Sequence, residues 1–212
     1  MSCPTPLEVE SRELRWQRLA KRAMDIVVAG AALVVLSPLL VLVAVVIKVG
    51  SPGPVLFRWP VVGQNGRPLK AYNFRTMVVG ADDMKADLLE QNEATGPVFK
   101  MKQDPRITAV GRFLRKFSFD ELPQLWSVLK GDMSLVGPRP VLTYEWEQFN
   151  DWQRQKLSIQ PGAVCLWHVR GQPRDLDEWV KLDLEYMENW SLWLDIKIMF
   201  GAAWYILSGK NY

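Results

Sequence analysis

Two adjacent carboxylates, Asp120 and Glu121, stand in the stretch Ser118-Phe119-Asp120-Glu121-Leu122-Pro123-Gln124-Leu125-Trp126. Leu122, Leu125, Trp126 and Leu129 recur at helical spacing, so a helix begins beside the pair. Ser118 and Glu121 match a capping box, whereas Pro123 argues for a slightly later start, because proline suits only the first helical turn. Either start puts both acids at a helix N-terminus, where free backbone N–H groups and the helix dipole favour negative charge. That setting keeps an aspartate ionised, as a nucleophile must be, and it also favours a bound phosphate. Two carboxylates beside phosphates can hold Mg²⁺ through oxygen ligands. Acids in a first turn are also common caps, so the pair alone does not define a site. Further on, Pro138-Arg139-Pro140 presents an arginine stiffly between two prolines, and guanidinium geometry suits phosphate oxygens.

Composition narrows the chemistry. The 212 residues include two Cys, Cys3 and Cys165, and one His, His168. That is too few for a disulfide framework or a structural zinc site, and it disfavours Cys-His or Ser-His nucleophile pairs. Chemistry falls to carboxylates, Lys and Arg. Apolar residues at 49% and charged ones at 23% exclude a disordered chain, and a net charge of +3 is too mild to argue for nucleic acid. The length holds one domain with a sizeable core, with or without an appendage.

The elements that must position these groups start with an anchor. Residues 26–47 carry no charge, and as a helix of about 33 Å they reach across a hydrocarbon core of about 30 Å. Ser37-Pro38 lies within the run. Proline removes a backbone donor and calls for a kink or break, and the serine can bond the freed carbonyl. Both flanks are basic, upstream at Arg12, Arg15, Arg18, Lys21 and Arg22, downstream at Lys48, Arg58, Arg67, Lys70 and Arg75. Because basic residues prefer the cytoplasmic side, a helix that enters and leaves by one leaflet competes evenly with a spanning one. The chain therefore divides into a basic juxtamembrane segment (1–25), the membrane helix (26–47) and a catalytic domain (48–212).

Beyond the Ser51-Pro52-Gly53-Pro54 linker, two apolar runs flank Asn65-Gly66 and read as a β-hairpin. Residues 80–93 read as a surface helix. Residues 48–116 hold 12 basic and 6 acidic residues, and residues 145–195 hold 5 basic and 10 acidic ones. On an anchored chain the basic surplus fits lipid headgroups or a phosphorylated substrate better than nucleic acid. Residues 190–207, with Trp190, Trp193, Trp204 and Tyr205, read equally as an interfacial amphipathic helix or a core helix. The fold class is α+β, mostly helical, with a small hairpin.

Several blocks together resemble the bacterial sugar transferases of the monotopic phosphoglycosyl transferase superfamily, from about Lys21 to the end. They are Lys21-Arg22-Ala23-Met24-Asp25, Ser37-Pro38, Ser51-Pro52-Gly53-Pro54-Val55, Phe74-Arg75-Thr76-Met77 and Asp104-Pro105-Arg106-Ile107-Thr108. Gly111-Arg112-Phe113-Leu114-Arg115, the Asp120 to Leu125 stretch, Ser134-Leu135-Val136-Gly137-Pro138-Arg139-Pro140 and Trp190-Ser191-Leu192 follow. The resemblance implies transfer of a sugar 1-phosphate from a UDP-sugar to polyprenyl phosphate, releasing UMP, as the first membrane step of an exopolysaccharide, capsule or O-antigen pathway. It implies a re-entrant helix broken at Ser37-Pro38, so that the protein is monotopic on the cytoplasmic face of the bacterial inner membrane. It assigns Asp120 as nucleophile and Glu121 as the Mg²⁺ ligand. Arg139 would meet a phosphate, most readily that of the acceptor, with Lys70, Arg75, Arg106, Arg112 and Arg115 as further phosphate-binding candidates. Self-association is left open, and so is the sugar.

The sequence departs from the family after Pro161-Gly162. The family more often shows Thr-Gly-Leu-Trp-Gln-Val and then Gly-Arg; this chain reads Ala163-Val164-Cys165-Leu166-Trp167-His168-Val169-Arg170-Gly171-Gln172. Donor choice is the property this touches, with Arg170 or Arg174 expected to supply the missing basic group. The multi-span domain of larger members is not present in the sequence, which reads as the catalytic unit. The competing function is a membrane-bound scaffold that turns its basic face to lipid and its acidic half to a partner. Neither a Walker nor a dinucleotide Gly-rich fingerprint occurs.

Overall fold

The computed structural model describes residues 6–94, 96–171, 173 and 175–208, with side chains from residue 15 onward except that of residue 207. Helix α1 (Pro6–Gly50) carries the apolar run. Its Arg15–Gly50 portion is long and apolar enough to cross a membrane, and only 11% of its most apolar window is buried. Val27, Val34, Val35, Val41 and Leu42 face outward, whereas Ala29, Val43 and Ile47 are covered by the rest of the chain. A helix of the protein core would bury this outward set.

The expected break at Ser37-Pro38 is not a break in the helix. Helical structure continues through Pro38. The proline withdraws the N–H that would bond the carbonyl four residues back, Val34, and Ser37 Oγ donates to that same carbonyl at 2.8 Å. Residues 6–25 are likewise continuous with the apolar helix rather than a separate segment.

Strands β1 (Leu56–Val62) and β2 (Pro68–Phe74) form the expected antiparallel hairpin, with Leu56 opposite Phe74 and Val62 opposite Pro68. Asn65 (φ 55°) and Gly66 (φ 73°) take left-handed conformations in the turn, which is why this pair of residues reverses the chain here. The expected surface helix over 80–93 is instead a run of 3₁₀ turns, Asp83–Gln91, with no buried residue. It has no covered apolar face to stabilise a regular α-helix.

Helix α2 (Ala109–Lys116), a 3₁₀ turn (Phe119–Glu121) and helix α3 (Gln124–Lys130) follow. Then come β3 (Ser134–Val136), β4 (Val141–Leu142), α4 (Thr143–Gln148), α5 (Asp151–Arg154), β5 (Gly162–Val164), α6 (Trp167–Arg170), α7 (Leu176–Glu188) and α8 (Leu192–Leu207). Strand β4 pairs with β1 to give the sheet order β2-β1-β4, and β3 pairs in parallel with β5. The result is mostly helical with a small sheet, as the sequence implied.

The main core gathers Val61, Leu69 and Ala71 of the hairpin, Val128 of α3, Leu135 and Val136 of β3, Tyr186 of α7 and Ile198 of α8. Each large apolar side chain so buried stabilises the fold by roughly 1.5–3 kcal/mol. Helix α1 is locked onto this core by three polar side chains just before its apolar run. Lys21 Nζ donates to the Val136 carbonyl at 2.9 Å and to Asp195 Oδ2 at 2.5 Å. Arg22 donates to the Val128 and Leu129 carbonyls at 2.6 and 2.7 Å, closing the C-terminal end of α3. Asp25 accepts the Leu135 N–H at 3.0 Å. Helix α8 packs on the core through Asp195, Ile198 and Ala202, as one of the two expectations for its sequence had it, while Trp193, Phe200 and Trp204 are exposed on the other side.

Candidate active site

Asp120 and Glu121 lie in the 3₁₀ turn, not in the first turn of a regular helix. Pro123 takes the cap position of α3, so the helix begins at Gln124. The expected capping box is absent: Ser118 adopts a left-handed conformation (φ 50°) and makes no side-chain cap bond. A non-glycine residue held there stores local strain, which the surrounding fold must sustain. The Glu121 N–H is spent on the Ser118 carbonyl at 3.2 Å.

Two arginines supply the positive field on the pair. Arg115 comes from the last turn of α2, and its Nε donates to Thr76 Oγ1 at 2.9 Å. Helix α2 is itself seated on that segment. Thr108 N–H donates to the Thr76 carbonyl at 3.0 Å, and a Cβ on Gly111 would stand 2.0 Å from the same oxygen, so only glycine permits the approach. Arg139 is held by packing. Its guanidinium carbon lies 5.3 Å from the Trp59 ring centre and 5.2 Å from that of Trp167, two cation–π contacts on one side chain. Its loop is stapled to Pro161-Gly162: Gly162 N–H donates to the Pro138 carbonyl at 2.9 Å and Gly137 N–H to the Val164 carbonyl at 3.0 Å. A Cβ on Gly162 would fall 2.0 Å from Gly137 N. The buried Lys156 ammonium sits 2.6 Å from Asp183 Oδ2, and Asp183 lies against the Arg139 backbone N–H.

A small cleft is walled by Glu121 and Gln124 on one side and by Arg139 and Pro140 on another. Trp59, the β5 residues Gly162 and Ala163, and Cys165 and His168 complete it. Gln124 is fixed by donating to Asn73 Oδ1 at 2.9 Å, which ties α3 to β2. Both acids are half-buried. Burial, and then the charge of Glu121, push Asp120 up to about 7, against the lowering effect of Arg115 and Arg139. Burial raises Glu121 as well, with Arg139 and Arg115 opposing. The expectation of an aspartate held fully ionised by a helix dipole is thus corrected: desolvation and the neighbouring carboxylate outweigh the local dipole.

This pair of desolvated, mutually repelling carboxylates is a natural place for a cation. Among the described residues no group of three or more His, Cys, Asp and Glu side chains gathers. Two carboxylates suit Mg²⁺, which keeps water and takes substrate phosphates for its remaining ligands.

The structure brings Arg115 and Arg139 to Asp120 and Glu121; it does not bring the other candidates into the cleft. Arg75 is buried and donates to the Pro52 and Ser51 carbonyls at 2.5 and 3.0 Å and to Ser51 Oγ at 2.8 Å, clamping the linker after α1. Arg106 is buried in a two-pronged pair with Asp104, Nη2 to Oδ2 at 2.6 Å and Nε to Oδ1 at 2.9 Å. Lys70 and Arg112 are exposed on β2 and α2. Arg170 is exposed and pairs with Glu185 at 2.8 Å, and Arg174 lies outside the described residues. Sequence reasoning missed Trp59, Trp167 and Gln124 as parts of the site. Trp167 lies in the departing loop that bears on donor choice, and for Trp59 the tryptophan count of 10 was the signal.

The fold and site define a domain fastened to one long, exposed apolar helix, with a carboxylate pair under the field of Arg115 and Arg139. Residues 16–209 match the family model described as bacterial sugar transferase, and the chain belongs to that family. It is 45% identical over 195 residues to a galactosyl transferase, CpsE, of Streptococcus agalactiae, covering 91% of this chain and 43% of that protein. It is 42% identical over 202 residues to the undecaprenyl-phosphate galactose phosphotransferase of Salmonella typhimurium, covering 91% and 41%. With the exopolysaccharide production protein ExoY of Rhizobium meliloti it shares 37% over 188 residues, covering 86% and 83%. The chain thus spans about two-fifths of the first two relatives and most of the third.

Proposed function

We propose that this protein transfers a sugar 1-phosphate from a UDP-sugar to polyprenyl phosphate. The observation that carries the reading is the Asp120-Glu121 turn set against Arg115 and a tryptophan-clamped Arg139, on a domain fastened to an exposed apolar helix. The names of the relatives, which include a UDP-glucose:undecaprenyl-phosphate glucose-1-phosphate transferase of Escherichia coli at 40% identity, support it.

In this mechanism a carboxylate oxygen of Asp120 attacks the phosphorus next to the sugar. The bond from that phosphorus to the UMP oxygen breaks, and the sugar phosphate remains on Asp120 as an acyl phosphate. An oxygen of polyprenyl phosphate then attacks the same phosphorus and frees the Asp120 carboxylate. With a value of about 7, Asp120 has a large ionised fraction at neutral pH and a basicity high enough for a good nucleophile. Glu121 would hold Mg²⁺, which when bound neutralises diphosphate charge. Arg139 meets phosphate oxygens, and the indole faces of Trp59 and Trp167 keep it aimed without reorganisation. The bulky, exposed apolar side chains of α1 and α8 hold this site at the bilayer surface, where the lipid phosphate lies. A shallow helix that enters and leaves by the cytoplasmic leaflet of the inner membrane, bending at Ser37-Pro38 while remaining helical, serves that geometry.

Release of UMP tests the reading. Purified protein with Mg²⁺ and polyprenyl phosphate is expected to release UMP from at least one member of a UDP-sugar panel, with sugar phosphate recovered on lipid. A membrane scaffold would release none. Single cysteines placed before Lys21 and after Lys48 test the topology: both labelled from the cytoplasmic side supports re-entry, and labelling from opposite sides overturns it.

A further inference from the structure

We propose that His168 is a donor-binding residue, whose Nε2–H donates to an oxygen of the sugar nucleotide in the cleft that holds Glu121 and Arg139. This rests on the transferase reading above.

One hydrogen bond assigns the ring proton. Cys165 N–H donates to His168 Nδ1 at 3.1 Å, which requires a lone pair on that nitrogen. The Cys165 carbonyl accepts the His168 backbone N–H at 3.1 Å and lies farther from Nδ1, at 3.3 Å. The Cys165 Sγ lies 3.1 Å from the same Nδ1. Nδ1 is therefore the acceptor and Nε2 the donor of a neutral imidazole. Burial and the nearby Arg139 charge agree, pushing the ring down to about 4.

That donor is not used inside the protein. The ring is 7% exposed, yet among the described residues Nε2 makes no hydrogen bond, and it is not among the buried polar atoms sealed off without a partner. His168 keeps a little surface and is one of the residues that line the cleft. A buried histidine serving only the core would satisfy both nitrogens internally.

The ring is also aimed. It stacks on Trp167 at 4.3 Å between centres and 17° between planes, and Trp167 is one of the two indoles in contact with Arg139. One tryptophan thus orients a neutral donor and a cation toward the same space. A ligand dense in oxygen acceptors matches this pairing. The cleft walls are aromatic, polar or small, with no long aliphatic side chain, which matches an oxygen-rich ligand rather than an isoprenoid tail; the walls stand close together and must part to admit it.

The experiment uses the full chain in detergent micelles with Mg²⁺, labelled with ¹⁵N-histidine. The chain has one histidine, so one imidazole signal set reports on the site. The expected result is the Nε2–H tautomer between pH 6 and 8, with Nε2 shifting on saturation with UDP-sugar. A shift with UDP as well assigns a phosphate oxygen; a shift with UDP-sugar alone assigns a sugar oxygen; both support the proposal. In kinetics, His168→Phe keeps the stack but removes the donor. It should raise the donor KM about ten- to hundredfold and leave the acceptor KM within twofold, and His168→Gln should restore most of the loss. An imidazole unmoved by UDP-sugar under conditions where the wild type releases UMP overturns the proposal, as does an unchanged donor KM in His168→Phe. If the wild type releases no UMP yet Nε2 moves with UDP-sugar, the binding assignment stands and the transferase reading falls.

Discussion

Lys21, just before the apolar run of α1, is joined to Asp195 in the last helix by a 2.5 Å ion pair whose carboxylate is completely buried. Tyr186 donates to the other carboxylate oxygen at 2.7 Å, and Trp190 adds a bond at 3.3 Å. Helix α1 and the domain that carries the site are therefore one packed unit, and the site keeps a defined place relative to the apolar helix.

Removing the cation alone should be costly, because it leaves a buried charge without its counter-ion. Lys21→Met is expected to lower stability by about 3–5 kcal/mol, and adding Asp195→Asn should return most of it. Thermal unfolding of the three variants in detergent checks this.

Asp120 is held at a cost in stability that grows with pH. Its folded value of about 7 exceeds the ordinary 3.8, so the folded state binds its proton more tightly than the unfolded chain does. The associated stability is present below pH 3.8 and is lost as pH rises through 7. At pH 8 without metal, Asp120→Asn should therefore raise Tm by about 2–4 °C while abolishing transfer. A lowered Tm would contradict the electrostatics argued for the pair.

The clamp on Arg139 makes a specific demand on the side chain. A lysine retains the charge but loses the planar face against two indoles and the forked donors. Arg139→Lys should fold normally and reduce kcat/KM for UMP release by about 10–100-fold. A change within twofold would mean that charge alone suffices.

His168 carries the opposite pH signature. Its folded value of about 4 lies below the ordinary 6.5, so the unfolded state binds the proton more readily. Stability is whole above pH 6.5 and declines as pH falls toward 4, by about 3 kcal/mol in the limit. Urea midpoints between pH 4 and 8 should fall on acidification in the wild type, and this contribution should be missing in His168→Gln.

The carboxylate pair, the Pro-Arg-Pro loop and the hairpin were legible in the sequence because each is a local signal of residue type and spacing. The details of the turn were not: the conflict between Ser118 and Pro123 was visible, and only packing decided it for Pro123, with Ser118 forced left-handed. Arg75 and Arg106 looked like phosphate ligands because their partners are backbone carbonyls and a neighbouring Asp104, which composition cannot rank against substrate. The placing of His168 beside Glu121 depends on the parallel pairing of Ser134 with Gly162 and Val136 with Val164. Contacts between such separate segments leave no local trace, so the altered loop could be noticed but not located.

The central claim is that Asp120 carries the sugar phosphate. Protein incubated with Mg²⁺ and UDP-sugar labelled in the phosphate next to the sugar, without lipid acceptor, should retain label on Asp120, release an equal amount of UMP, and pass the label to polyprenyl phosphate when it is added. Label on the lipid at an undiminished rate in Asp120→Asn, or no label on the wild-type protein while UMP release proceeds with acceptor, would contradict it.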